Sequence, residues 1–110
     1  MPTDEVIIGE VKPFPNCKPD KEQALKVLEE AAEVFGAWQE YEQYHSQHSV
    51  WDYPKVQTAK ILKTKMFNEI ADVIQACVNL LSAYGVTDFA PYVEQCEQRN
   101  RDRGRYDANE

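Results

Sequence analysis

Residues that interrupt helices occur at few positions in this chain of 110 residues. Four of its six prolines fall within residues 1–19, and the whole chain contains only four glycines. Because proline and glycine are the residues that most destabilise a helix interior, the long stretches that lack them are free to be helical. We therefore expect an all-α fold after residue 19, preceded by an extended arm that holds at most a short strand at residues 6–8.

Residues 21–44 carry the pattern of a first helix. Asp20 stands at the N-cap position, and Gln23 follows three residues later as its capping-box partner. Apolar residues then recur at helical spacing, and glutamates form a stripe on another side. The apolar set is Ala24, Leu28, Ala31, Phe35 and Trp38, and the acidic set is Glu22, Glu29, Glu33 and Glu40. The pattern predicts an amphipathic helix.

A polar linker at residues 45–51 precedes a second helical stretch, which places Pro54 in its first turn and ends at Gly85. The pattern leaves open whether this stretch is one helix or two helices that meet near Thr64. We expect a last helix from about residue 88 to residue 103, capped by Thr87 and ended by Gly104.

These elements predict an antiparallel helical bundle of about four helices. We divide the chain into the N-terminal arm (residues 1–19), one helical domain (residues 20–106) and a short C-terminal tail (residues 107–110). A domain of this size leaves apolar helix surface uncovered, so we expect a homo-oligomer, either a homodimer or a homotetramer.

The net charge of −7 argues against duplex nucleic acid as the main partner, because binding to the phosphate backbone requires a basic face. No stretch approaches the roughly 20 apolar residues that cross a bilayer, so we expect no membrane association. The three cysteines are widely spaced and form no CxxC pair, which favours reduced thiols and a cytoplasmic location.

Charge is distributed unevenly along the chain. All four arginines lie within residues 99–105, whereas residues 1–98 contain eight lysines and sixteen acidic residues. An acidic body with a basic end is suited to hold cations at one place and phosphates at another.

Carboxylates also lie on a helix that is otherwise apolar. Residues 70–86 are apolar on most of the helix circumference, and Glu69 falls on the face of Val73 and Leu80. Burying a carboxylate without a partner costs several kcal/mol. The candidates for that partner are Lys65 on the same stripe and a divalent cation.

Two pairs of carboxylates have a spacing that lets both members reach one point beside a helix. Glu69 and Asp72 are spaced i, i+3, and Glu30 and Glu33 repeat this spacing on the first helix. If the two helices face each other, these four side chains and Glu29 surround one cavity. Oxygen ligands select hard ions, Mg²⁺ or Mn²⁺. A solvated acidic face is the alternative interpretation.

The motifs E-E-x-x-E at residues 29–33 and E-x-x-D at residues 69–72 lie on two successive helical segments. In this order, followed by an apolar run and the arginine-rich residues 99–106, they resemble the MazG-like branch of the all-α nucleoside triphosphate pyrophosphohydrolases. The resemblance covers about residues 25–106. It implies a hydrolase of nucleotide metabolism that splits (d)NTP into (d)NMP and pyrophosphate.

The resemblance also implies roles for individual residues. Glu30, Glu33, Glu69 and Asp72 would be the ligands of Mg²⁺, with Mn²⁺ as a possible substitute. Glu29 would assist catalysis, as a further ligand or by orienting the attacking water.

Four further residues are candidates for substrate binding. Trp38 could stack on a base or pack in a core or interface, and Asn79 could bind a base or sugar or be a buried amide with a structural partner. Arg101 and Arg103 belong to the arginine-rich end and are suited to bind the triphosphate.

Two other functions stay open on the sequence. One is a non-catalytic helical interaction module that presents an acidic face to a partner. The other is a pyrophosphohydrolase of a nucleotide-like metabolite such as phosphoribosyl-ATP.

Overall fold

The computed structural model describes residues 5–47 and 53–107, and over these ranges the protein is all-helical. The helices are α1 (Lys21–Gln47), α2 (Tyr53–Ala83) and α3 (Ala90–Asp102). Residues 45–47 of the expected linker belong to α1, and residues 48–52, which include the rest of it, lie outside the described residues, as do residues 1–4 of the arm and 108–110 of the tail.

Helix α1 begins where the sequence predicts. The Asp20 carboxylate accepts a hydrogen bond from the backbone N–H of Gln23 at 3.0 Å, which satisfies one of the free donors of the first turn. The helix continues through Gln47, three residues beyond the predicted end. Gly36 lies within this helix, as the predicted range implies.

Helix α2 is one continuous helix of 31 residues, without a break near Thr64. It ends at Ala83, and Gly85 follows with a φ of 78°. The N–H of Gly85 donates to the carbonyl of Ser82 and the N–H of Val86 donates to that of Leu81, so the last carbonyls of the helix are satisfied. This confirms the role predicted for Gly85.

The start of α3 differs from the prediction. Phe89, not Thr87, occupies the N-cap position, and its side chain makes no capping hydrogen bond. The Asp88 carboxylate instead accepts from the N–H of Ala90 at 3.0 Å, and Pro91 occupies the first turn. The end is as predicted, because Gly104 adopts a φ of 73° and repeats the termination seen at Gly85.

Helices α1 and α2 pack against each other in antiparallel orientation, and α3 is not packed on either helix within the described chain. Two contacts show the antiparallel orientation. Glu40, late in α1, contacts Lys65, early in α2, whereas the earlier Glu33 approaches the later Glu69. Over the described residues a single chain thus forms a helical hairpin with a separate third helix, which confirms the all-α class, whereas the bundle of about four helices stays a prediction.

Few apolar residues are buried in this arrangement. The buried apolar residues of the described chain are Ala37 and Ala76, and no side chain there is fully buried. Leu28 and Phe35 of α1 are 66% and 58% exposed. The Cα radius of gyration is 17.6 Å, against about 13 Å for a compact domain of about 100 residues.

The N-terminal arm has no helix or strand over its described residues, but part of it is fixed to the hairpin. The backbone N–H of Phe14 donates to Asn79 Oδ1 at 2.9 Å, and Gln75 Nε2 donates to the carbonyl of Lys12 at 2.9 Å. Residues 6–8 precede this attachment and are strongly exposed.

No helix in the described part of the chain has both the length and the apolar character needed to cross a lipid bilayer.

Candidate metal centre

Three glutamates converge between α1 and α2. One carboxylate oxygen from each of Glu30, Glu33 and Glu69 lies within 4.8 Å of the other two. Glu30 and Glu33 are adjacent because residues spaced i, i+3 share a helix face, and the antiparallel pairing brings Glu69 to the same point. We call these three residues the glutamate cluster. It contains three of the four ligands suggested by the sequence.

Glu30 is the most buried member of the glutamate cluster, with 8% of its surface exposed. Its Oε1 is 3.1 Å from the ammonium of Lys26, one helical turn earlier. Its Oε2 is buried and has no hydrogen-bond partner in the described chain. A buried carboxylate oxygen without a partner carries a desolvation cost, which either a proton donor or a cation at this position would offset.

The carboxylates of the cluster also affect the protonation of Glu33. Its pKa is raised because it shares a hydrogen bond with Glu30 and feels the charge of that group, with smaller effects from Glu69 and from burial. Negative groups at this separation favour a bound proton or a bound cation. The set of oxygen donors suits a hard divalent cation such as Mg²⁺ or Mn²⁺.

Lys65 does not act as the ion-pair partner of Glu69. Its ammonium is 2.9 Å from the Glu40 carboxylate across the helix pair. The pKa of Lys65 is raised mainly by its hydrogen bond with Glu40, and the charge of Glu69 is the smallest contribution. The structure therefore does not support Lys65 as the partner of Glu69, and the divalent cation stays a prediction.

The other two acidic candidates lie outside the glutamate cluster. Glu29 has an exposed side chain whose carboxylate is 3.8 Å from the Lys26 ammonium. Asp72 is exposed and follows Glu69 by one turn of α2. A spacing of i, i+3 keeps Asp72 on the same side of the helix as Glu69, so its assignment as a ligand stays a prediction.

The candidates for substrate binding are dispersed. Trp38 is 44% exposed and stacks on Phe35 with a centroid distance of 5.7 Å. By the helical periodicity, Trp38 and Phe35 lie away from the face of α1 that carries Glu30 and Ala37. The structure therefore does not bring Trp38 to the glutamate cluster.

The two arginine candidates lie at the end of α3. Arg101 is 3.4 Å from Glu97, and its guanidinium lies 5.4 Å from the ring centroid of Tyr106. Arg103 is the exposed C-cap residue of the helix. Since α3 is not packed on α1 or α2 in the described chain, neither arginine is placed beside the glutamate cluster of the same chain.

Asn79 is a buried amide with structural partners, one of the two roles that the sequence left open. Its Oδ1 accepts from the N–H of Phe14 and from Gln75 Nε2. No motif in the sequence marks Phe14 or Gln75 as part of a site. The contact between Phe14 and Asn79 joins residues 65 positions apart, and no local pattern signals such a pair.

Comparison with models of known protein families, with curated proteins and with solved structures yields no match for this chain. The likeness to the MazG-like family thus rests on the sequence motifs, and the chemistry of the glutamate cluster is the basis for assigning a function.

Proposed function

We propose that this protein is a Mg²⁺-dependent nucleoside triphosphate pyrophosphohydrolase that adds water across the bond between the α- and β-phosphates of (d)NTP. The products are (d)NMP and pyrophosphate. The observation that carries the proposal is the buried Oε2 of Glu30, which lacks a hydrogen-bond partner in the described chain and belongs to a cluster of three converging carboxylates.

In this proposal Glu30, Glu33 and Glu69 hold Mg²⁺, and Asp72 joins them from the next turn of α2. The ion would neutralise charge on the phosphate oxygens and lower the pKa of the attacking water. Lys26 fixes the orientation of Glu30 through Oε1 and leaves Oε2 for the ligand. Glu29, exposed beside the cluster, orients the water.

Two copies of the chain assemble in this proposal. The outward side of α1 and much of α2 carry exposed apolar side chains that the described chain does not cover. When two helical hairpins pack through these faces, they form a four-helix bundle, which buries apolar area and lowers the free energy of the folded state. The arginines of α3 then contact the triphosphate at the site of the same chain or of its partner.

The central experiment measures pyrophosphate release from a panel of ribo- and deoxyribonucleoside triphosphates, with and without Mg²⁺. Glu69→Ala should lower turnover at least ~100-fold, because a metal ligand is lost. Glu40→Ala is the matched control, since Glu40 is an acidic residue of the same helix pair outside the cluster. We expect the control to keep wild-type turnover.

Two results would reject the proposal. One is the absence of Mg²⁺-dependent pyrophosphate release from every nucleotide, with Mg²⁺ binding retained, which favours a non-catalytic acidic module. The other is unchanged turnover in Glu69→Ala while far-ultraviolet circular dichroism shows an intact helical fold. Release from phosphoribosyl-ATP alone would keep the chemistry and change the substrate.

A further inference from the structure

A cavity of about 380 Å³ lies where the arm passes the start of α1 and the end of α2. Its lining includes Phe14 and Lys18 from the arm, the acidic Asp20 and Glu22 at the start of α1, Lys26 from α1, and Asn79 from α2. We call it the arm pocket. Its volume is within the range of about 300–1,000 Å³ that is usual for small-molecule sites.

The arm pocket and the glutamate cluster share a boundary. Lys26 lines the pocket, and its ammonium is 3.1 Å from the Glu30 carboxylate of the cluster. On α2, Asn79 follows Asp72 by seven residues, which is close to two full turns, so both lie on one side of the helix. Asn79 is ten residues beyond Glu69, about 15 Å along the helix axis. A molecule with a phosphate end and a second polar end can therefore occupy both places.

Asn79 lines the arm pocket and is fixed there by hydrogen bonds. It is 6% exposed, and its Oδ1 accepts hydrogen bonds from the N–H of Phe14 at 2.9 Å and from Gln75 Nε2 at 3.0 Å. Gln75 Nε2 also donates to the carbonyl of Lys12 at 2.9 Å, so the same amide pair attaches the arm. Because Oδ1 is used in this way, Asn79 offers its Nδ2 donors to a ligand.

The other lining groups indicate the kind of ligand. Phe14 is 60% exposed and borders the pocket, so it offers an aromatic side chain on which a base can stack. An acceptor on the base or sugar can receive a hydrogen bond from Asn79 Nδ2. Lys26 lies between the arm pocket and the glutamate cluster, and the phosphates of a bound nucleotide would pass beside its ammonium.

We propose that the arm pocket binds the nucleoside part of the substrate and that Phe14, supplied by the N-terminal arm, is the residue on which the base stacks. This inference rests on the proposed function, because it assigns the phosphates of the same molecule to the glutamate cluster. It gives the arm a role in substrate binding, and it moves base stacking from Trp38 to Phe14.

The first test uses the full-length, ¹⁵N-labelled protein without divalent cations and titrates it with ribo- and deoxyribonucleoside monophosphates. At least one should shift the side-chain amide signals of Asn79 and the backbone amides of residues 14–18. Inorganic phosphate should not produce these shifts, because it has no base. If no monophosphate shifts these signals, the arm pocket is not a nucleoside site.

The second test compares variants of the arm. Phe14→Ala removes the ring but keeps the backbone N–H that attaches the arm, and it should weaken monophosphate binding and raise KM about tenfold. Phe14→Tyr should restore both values. Ile7→Ala is the control within the same arm, since Ile7 is 93% exposed and does not line the pocket.

The two proposals fail separately. Mg²⁺-dependent hydrolysis with wild-type KM in Phe14→Ala would reject the nucleoside pocket and retain the enzyme. Monophosphate binding at residues 14–18 without hydrolysis of any triphosphate would retain the pocket and reject the enzyme.

Discussion

The two oxygens of the Glu30 carboxylate lie in different environments, and this difference is the main chemical feature of the site. Oε1 is paired with Lys26, whereas Oε2 is buried without a partner in the described chain. Pairing with Lys26 also raises the pKa of that lysine, chiefly through the hydrogen bond with Glu30. A fixed carboxylate with one free oxygen is well suited to receive a cation.

The raised pKa of Glu33 predicts how stability depends on pH when no divalent cation is present. Between the ordinary value of 4.5 and the raised pKa, the folded protein binds more protons than the unfolded chain. The stabilisation that Glu33 contributes is fully present below pH 4.5, and it is lost as pH rises through the raised pKa of Glu33. In EDTA, Tm should therefore fall with rising pH over this window.

The measurement is thermal unfolding at a series of pH values for the wild type, for Glu33→Gln and for Glu40→Gln. Glu33→Gln should show a weaker dependence, because its side chain does not titrate, and Glu40→Gln should behave like the wild type. Equal slopes of Tm against pH for the wild type and Glu33→Gln would contradict the assignment of this pH dependence to the glutamate cluster.

Asp72 provides a second prediction at the level of residues. If it joins the cluster when the substrate and cation are bound, Asp72→Ala should reduce kcat at least ~100-fold while helical content is unchanged. Wild-type kcat in this variant would show that the three clustered glutamates are sufficient.

Among the helices, α2 depends on its C-terminal glycine. Gly85 has a φ of 78°, a conformation that costs other residues about 1–2 kcal/mol. Gly85→Ala should lower the free energy of unfolding by about that amount in urea titrations. Gly36 is the matched control, because an added Cβ there meets no atom within 4 Å. Gly36→Ala should stabilise α1 by about 0.5–1 kcal/mol, and destabilisation of both variants alike would contradict this account.

Helix α3 carries the arginines and ends in an ordered turn. The N–H of Arg105 donates to the carbonyl of Asn100, and the N–H of Gly104 donates to that of Arg101. If this end binds the triphosphate, Arg101→Ala, Arg103→Ala or truncation after Gln98 should reduce kcat/KM tenfold or more at low salt, with a smaller loss at higher salt, where screening weakens the attraction in the wild type. Unchanged kinetics in a folded, truncated protein would show that other cationic residues bind the phosphates.

The described part of the molecule buries little apolar surface. The described chain buries only Ala37 and Ala76 among its apolar residues, while Leu28 and Phe35 remain exposed. We expect light scattering to show a homodimer or homotetramer at micromolar concentration. Leu28→Lys should dissociate it and lower Tm, because a charge would be buried in the interface. A stable wild-type monomer would contradict the proposed assembly.

What the sequence determined is the local structure. The cap at Asp20, the helix ends at Gly85 and Gly104 and the absence of helix in the described part of the arm follow from backbone chemistry within a few residues. The i, i+3 spacing of Glu30 and Glu33 also fixes their proximity, because it depends only on helix geometry.

Tertiary structure decided which distant groups meet. It paired Lys65 with Glu40, brought Glu69 to Glu30 and Glu33, and attached Phe14 to Asn79. These contacts depend on the register between α1 and α2 and on the path of the arm. Many registers bury similar apolar surface, so local sequence patterns do not distinguish them, and side-chain contacts across the helices select one.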